Sequence, residues 1–405
     1  MLQSAVLTSI GRLCFLSLNN GINENIKFAV QEKLMLCVIV EPTIKNEYKY
    51  TKEYFFISCC KNKRISYTTA SSLSEAADII GRRGGSVLLY AASEKWAINM
   101  IRQNSSLGLN LIIAEAFRLQ SGSKFSSVCT DVATQISEVC NYLNLCGVKS
   151  TAFFGARSVI SWQVAADEAI SYYIPTAKYT QYFRADESLS KAYRSFLRNG
   201  TNLESVICPN DLIAIYLISR LKKDNPELLK KLFVISLESS ALSKCFSESI
   251  TSFCGANQLI AQKTVELCRR TSRDKSAGMH ISCFPEFKIG NSTHMKNPTR
   301  FNQPEFLDLS RLRYLSTDNM SYYYNVDDEY NDLLRLEYLI QTASDYDLAI
   351  LSAITRLNNY AEISSYMNVS IDSVKYYTSK LYRRAGFESR KKLKAVLMEY
   401  FSPLK

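Results

Sequence analysis

His280 and His294 are the only imidazoles in the chain, and they stand fourteen residues apart. A nucleophile–histidine–carboxylate relay needs a histidine flanked by both partners, and a multi-histidine metal site needs several close ligands. Neither pattern can be built from this pair. The twelve cysteines include the adjacent Cys59 and Cys60 but no C-x-x-C spacing. Most lie inside apolar runs, as Cys37 does in LMLCVIV and Cys208 in VICPND. They read as small buried hydrophobes in a reducing compartment, not as metal ligands or a disulfide frame. The glycine-rich stretch GRRGG, Gly81 to Gly85, lacks the Lys-Ser/Thr of a phosphate loop. No nucleophile–base pair can be named, so no catalysis and no cofactor is expected. What remains is charge: 49 Lys and Arg against 38 Asp and Glu, a net +11 that suits a polyanionic partner.

The elements that must position these charges follow from hydrophobic patterning. At 405 residues, 47% apolar and 21% charged, the chain has material for two or three domains. From about residue 10 to 290, short apolar runs alternate with amphipathic stretches. LCFLSL, MLCVIV, SVLLYA, LNLIIA, STAFFGA, SVICP and LFVISL have strand length. SLSEAADIIGRRG, SEKWAINMIRQNSS, TQISEVCNYLNLCG and DLIAIYLISRLKK have helical periodicity. Strands buried on both faces and separated by helices imply parallel sheets and an α/β fold. Their number implies two lobes. FFISCC and the basic Lys61 to Arg64 stand either as an inserted strand or as an early element of the first lobe.

Pro298, Pro304 and several asparagines break the rhythm over 294–326, which reads as a linker. From Asp327 the pattern is helical to the end. Over 344–400 it gives four short helices: SDYDLAILSAITRLN, YAEISSYMN, IDSVKYYTSKLYRRAG and SRKKLKAVLMEYF. Ser370 is placed to cap the third, and Val374, Tyr377 and Leu381 fall on its core-facing side. Lys375, Tyr376, Ser379 and Lys380 then face outward, able to enter a major groove. From Ile371 onward nine basic residues meet three acids, 9 − 3 = +6, a charge suited to phosphates.

The stretch Glu362 to Arg390, EISSYMNVSIDSVKYYTSKLYRRAGFESR, resembles the LuxR/FixJ-type DNA-binding domain. Glu362-Ile363-Ser364, Met367, Val369-Ser370, Ser373-Val374-Lys375, Leu381 and Arg390 fall in step with it; Tyr377 and Arg384-Ala385 depart from it. The resemblance implies base-facing roles for Lys375, Tyr376 and Ser379, and phosphate-facing roles for Ser370, Ser373, Lys380 and Arg384. The plainer alternative is a solvated basic helical hairpin used for protein contacts.

Residues from roughly 75 to 293 resemble the ligand-binding core of LacI/GalR-type regulators, itself similar to type 1 periplasmic binding proteins. The resemblance rests on the order of VCTDVATQISEVCNYLNLCGVKSTAFFGA, NLESVICPNDLIAIYLISRLKK, LFVISLESS, SITSF and CFPEFKIGNST. It implies two lobes joined by crossing strands, with a ligand between them. Asp131, Asn210 and Asp211 fall at positions of polar ligand contacts, and Gln163, beside Trp162, stands where the family carries an arginine. Ser236 and Glu238 replace the usual glycine and aspartate of a later strand end. Physically, carboxylates at strand ends offer acceptors to hydroxyls or amines, and Trp162 offers a flat face to a sugar or base ring. Asp131 and Asp211 can equally serve as helix caps, and Trp162 as rim packing.

The expectation is therefore an α/β, two-lobed, periplasmic-binding-protein-like core followed by an all-α helix-turn-helix domain. Its parts are a sensor over 1–293, a linker over 294–326, a connecting helix over 327–343 and the DNA-binding domain over 344–405. It implies a cytoplasmic, ligand-responsive transcription regulator binding double-stranded DNA as a homodimer, its effector a sugar-like or nucleoside-like metabolite. The alternative keeps DNA binding but makes the α/β region a ligand-free oligomerisation or protein-interaction module. The opening residues lack the basic leader of a signal peptide, and no apolar run reaches the ~18 residues of a membrane span.

Overall fold

The computed structural model describes residues 34–42, 44, 46–81, 84–91, 94–114, 125–155, 160–174, 180–184, 188–272, 278–294 and 327–402, with the backbone alone for 46–51, 94, 160–165 and 180. The apolar run LCFLSL and nearly all of the expected linker, 295–326, lie outside the described residues.

Two six-stranded sheets organise the α/β region. The first is wholly parallel and holds β1 (Met35–Val40), β2 (Ser66–Thr69), β3 (Gly85–Tyr90), β4 (Leu111–Ala114), β5 (Ser126–Thr130) and β11 (His280–Cys283), in the order β11-β5-β4-β3-β1-β2. The second holds β6 (Thr151–Phe154), β7 (Thr180–Phe183), β8 (Ser205–Cys208), β9 (Phe233–Ser236), β10 (Thr251–Cys254) and β12 (Glu286–Lys288), in the order β12-β10-β9-β8-β6-β7. Its edge strand β12 is antiparallel to β10.

The alternation of strand side chains divides each core in two. In lobe 1, Leu36, Val38, Leu88 and Ile112 face Phe56, Cys59 and Cys60 of α1 (Asn46–Lys63) and Val265 and Cys268 of α9 (Ala256–Thr271). Cys37, Ile39, Val87, Leu89 and Ile113 face α2 (Leu73–Ile80) and α3 (Glu94–Gln103). FFISCC is thus helical. Phe56, Cys59 and Cys60 at i, i+3 and i+4 give one apolar stripe that covers the sheet. The close approach of β3 to β1 depends on Gly85, whose φ is +148° and where a Cβ would stand 2.1 Å from the Met35 carbonyl oxygen.

In lobe 2, Phe153, Ile207, Phe233 and Ile235 pack on α4 (Val132–Leu145) and α5 (Ile160–Tyr173). Ala152, Phe154, Val206, Cys208 and Val234 pack on α6 (Leu189–Asn199) and α7 (Asp211–Asp224). A single-turn helix, α8 (Pro226–Leu229), follows α7. The chain passes between lobes three times: from β5 to α4, from β10 to α9, and from β11 to β12. It leaves each of β5, β10 and β11 at the C-terminal end, which brings the C-terminal edges of both sheets to the seam.

The C-terminal helices are α10 (Asp328–Gln341), α11 (Asp345–Arg356), α12 (Tyr360–Met367), α13 (Ile371–Arg384) and α14 (Arg390–Tyr400). They do not have a separate core. Leu333, Leu336 and Leu339 of α10, Ile350 and Ile354 of α11, Ile363 of α12, Val374 and Leu381 of α13 and Leu393 and Leu397 of α14 join the α6–α7 side of lobe 2 in one continuous apolar cluster. Nine of the fourteen residues of α10 are buried, so this helix is sandwiched between lobe 2 and the last four helices. Among the described residues no helix is long and apolar enough to cross a membrane.

Candidate functional site

Helix α13 begins where α12 ends in a tight turn. Asn368 takes the left-handed conformation, with φ 52°, and its N–H reaches back to the carbonyls of Ser364 and Ser365. Asparagine tolerates that conformation through its short polar side chain. Two residues later Ser370 caps α13, its hydroxyl accepting from Ser373 N–H at 3.1 Å. The Ser370 and Ser373 hydroxyls lie 2.9 Å apart. Val374, Thr378 and Leu381 are buried, and Tyr377 packs on the same core beside Tyr346.

The opposite side of α13 faces solvent. Lys375, Tyr376, Lys380 and Arg383 are all exposed and recur at helical spacing along one stripe. Tyr376 is 64% exposed, and Ile371 and Tyr366 are exposed as well, at 43% and 61%. Lys375 touches Asp372 at 3.4 Å, but both side chains are open to water, so screening leaves the lysine charge available. Ser379 is half-buried and donates to the Tyr382 hydroxyl at 3.2 Å.

Arg384 turns away from this stripe. Its two terminal nitrogens each lie 3.2 Å from Asp347 Oδ2, on a carboxylate only 13% exposed. Burial alone would raise the Asp347 pKa; the Ser344 N–H and the Arg384 guanidinium outweigh it and hold the carboxyl below its ordinary range. In the fold the Arg384 fork fastens α13 to α11. Arg390 is likewise committed, lying over the Tyr360 ring at 4.3 Å and bonding the Asn358 carbonyl. On α13, the exposed Arg383, three residues after Lys380, is a cation that sequence reasoning left without a role.

At the seam between lobes the expected ligand residues divide. Asp131, half-buried, sits at the first crossing and caps α4, accepting from Thr134 N–H at 3.2 Å. Asn210 caps α7 by accepting from Ile213 N–H at 3.1 Å, while its amide donates to the Tyr330 hydroxyl of α10 at 3.0 Å. Asp211 is fully buried and accepts from Ser240 N–H at 3.1 Å. Burial pushes its carboxyl up to about 7, against the pull of the Ser243 and Ser236 hydroxyls and that N–H. A carboxyl in this position holds the loop after β9. Trp162 and Gln163 fall in the first turn of α5, and their side chains lie outside the described residues.

Two further carboxylates were not singled out as site residues. Glu337 of α10 is buried and accepts from Ala241 and Leu242 N–H at 2.7 and 2.6 Å, capping the 3₁₀ turn Leu242–Cys245; burial raises its pKa against those bonds. Glu238, just past β9, meets Lys52 of α1 at 3.0 Å across the seam. Glu238 was visible in the sequence as a residue at a strand end. Lys52 was not, because nothing in its own segment marks a lysine that will be buried by a distant lobe.

Cys37, Cys60 and Cys140 are enclosed thiols. Burial pushes Cys37 up to about 11 and Cys60 and Cys140 up to about 12. Among the described residues no group of three or more His, Cys, Asp and Glu is arranged to hold a metal ion.

No protein-family model and no curated protein matches this chain. Solved structures do. A LacI family transcriptional regulator from Enterococcus faecium with bound ribose is 14% identical with a TM-score of 0.52, covering 65% of this chain and 100% of its own. An uncharacterised protein from Actinobacillus succinogenes is 15% identical with a TM-score of 0.52, over 65% and 100%. The lac repressor dimer bound to operator and the anti-inducer ONPF is 11% identical with a TM-score of 0.50, over 66% and 98%. At such identities the likeness is one of fold. The α/β region is a two-lobed, periplasmic-binding-protein-like core, with a helical region after it in the chain.

Proposed function

We propose that the protein is a ligand-responsive, DNA-binding transcription regulator. In this reading residues 1–293 form the sensor, 294–326 the linker, 327–343 the connecting helix and 344–405 a DNA-binding domain of the LuxR/FixJ type. Lys375, Tyr376, Ser379 and Lys380 reach base edges or the adjoining backbone in a major groove, while Ser370 and Ser373 meet phosphates at the helix N-terminus. Arg383 takes the phosphate role that Arg384 gives up. A homodimer would set two such helices on two half-sites. The effector is a small metabolite held between the lobes, at the side chains that follow β5, β8 and β9. It acts only so far as it binds one lobe arrangement better than another. The reading assigns no catalysis and places the protein in the cytoplasm with its duplex. The bound ribose of the E. faecium regulator and the operator of the lac repressor lend it support by fold.

The observation that carries the reading is the exposed Lys375–Tyr376–Lys380–Arg383 stripe on a helix otherwise fixed by its cap and buried face. The full chain should bind duplex DNA with an affinity that falls steeply as salt rises. Replacing Lys375 with Ala should weaken specific binding by ~1–3 kcal/mol if it reaches a base edge. A gel shift at matched salt measures this, and an unchanged affinity removes Lys375 from the interface.

A second reading, the α/β region as a ligand-free interaction module, is favoured by the Lys52–Glu238 bridge that already spans the seam. A thermal-shift screen over sugars, nucleosides and amino acids separates the two. A true effector at 100 times its Kd stabilises by ~2.7 kcal/mol, and failure across the whole panel supports the module.

A further inference from the structure

Glu238, Asn257 and Lys52 reach one point from three different elements. Glu238 belongs to the lobe 2 loop after β9. Asn257 lies in the first turn of α9, where the chain has just passed from lobe 2 into lobe 1. Lys52 is carried by α1 of lobe 1. The Lys52 ammonium donates to Glu238 Oε1 at 3.0 Å and also to Asn257 Oδ1. The Asn257 amide donates in turn to Glu238 Oε1 at 2.7 Å. The lysine side chain is 8% exposed and the glutamate 31%.

An ammonium offers three donors and no acceptor, so a carboxylate and an amide oxygen converging on it form a cation-selective cradle. The same carboxylate would repel an anion. The cradle is also wired to the C-terminal helices. The Glu238 carbonyl accepts from Asp211 N–H at 2.9 Å and from the Ser236 hydroxyl at 2.8 Å. The next turn of that loop hangs on Glu337 of α10 through Ala241 and Leu242. Helix α1, which carries the lysine, packs on α10 as well as on α9.

We propose that Lys52 is a built-in occupant of an ammonium-binding site between the lobes, and that the effector is an amine-bearing metabolite that takes its place. This rests on reading the seam as the effector site and narrows the chemistry of what binds there. With Lys52 in place, lobe 1 is tied to the loop that roots α10. A ligand amine seated on Glu238 and Asn257 frees α1 from that loop and changes how lobe 1 bears on the helix beneath the DNA-binding unit.

The test uses the full chain without DNA, so its outcome is independent of whether the DNA-binding reading holds. Thermal unfolding is followed with increasing ethylammonium chloride and compared with sodium chloride at equal ionic strength. Wild type should show no ethylammonium-specific shift. Lys52→Met should melt a few degrees lower in sodium chloride and gain a saturable, ethylammonium-specific rise, and Lys52→Met/Glu238→Gln should lose that rise. No specific rise in Lys52→Met, or a rise that survives Glu238→Gln, overturns the proposal. Should Lys52→Met fail to fold, hydrogen exchange in Glu238→Gln supplies the reading: α1 and residues 238–245 should exchange several-fold faster than in wild type, and unchanged exchange in both overturns the proposal equally.

Discussion

Asp211 shows how one residue type in one sequence context resolves into a role. Next to Asn210 at the start of α7 it reads either as a ligand contact or as a cap. In the fold Asn210 takes the cap, and Asp211 is fully enclosed with its carboxyl raised from 3.8 to about 7. The native state therefore holds a proton that the unfolded chain has already released, and over that interval stability falls as pH rises. Wild type should lose stability between pH ~4 and ~7 through this group, and Asp211→Asn should flatten that part of the profile in urea titrations. An identical profile in the two proteins would show that the burial is not felt. Arg384 resolves the other way. The family resemblance implied a phosphate contact, while in the fold its fork lies on the half-buried Asp347, and a charge-assisted pair on a poorly hydrated carboxylate is among the stronger hydrogen bonds. The sequence could not show their partners, which lie 29 and 37 positions away.

At the scale of elements, the strong apolar runs and the amphipathic stretches were legible. MLCVIV, LNLIIA, STAFFGA, SVICP and LFVISL contain β1, β4, β6, β8 and β9, and SVLLYA covers all of β3 but Gly85. The strands that escaped notice, such as β2 (SYTT) and β5 (SSVCT), are polar and short, and they are strands because a neighbour offers them a ladder. The four terminal helices followed from caps and periodicity. The connecting helix α10 is a shared core element. Leu336 on it is fully buried among residues of lobe 2 and of the last helices. Replacing Leu336 with Ala should cost ~2–5 kcal/mol. It should lower the stability of lobe 2 and of the C-terminal helices together, read as one coincident transition by circular dichroism and by exchange in both regions. Loss confined to the C-terminal helices would show that they fold as a separate unit.

For the whole molecule, the consequence of that shared core is mechanical. Helix α13 cannot turn against lobe 2 without tearing an apolar cluster, and ion pairs from Arg220 and Lys223 to Glu329 and Glu399 line the same junction. In the proposed regulator, the free movement left to a sensor is that of lobe 1 about its three crossings, with α1 resting on α10 as the point of transmission. The sequence by itself determined the two α/β lobes, the capped C-terminal helices and the exposed basic stripe, because periodicity, caps and charge act over a few neighbouring residues. Only the tertiary structure decided that α10 is buried, that Arg384 and Asp211 are spent on the fold, and that Lys52 crosses from one lobe to the carboxylate of the other. Those outcomes depend on which surfaces meet, and contacts between residues as far apart as 186 positions leave no local signal in the chain.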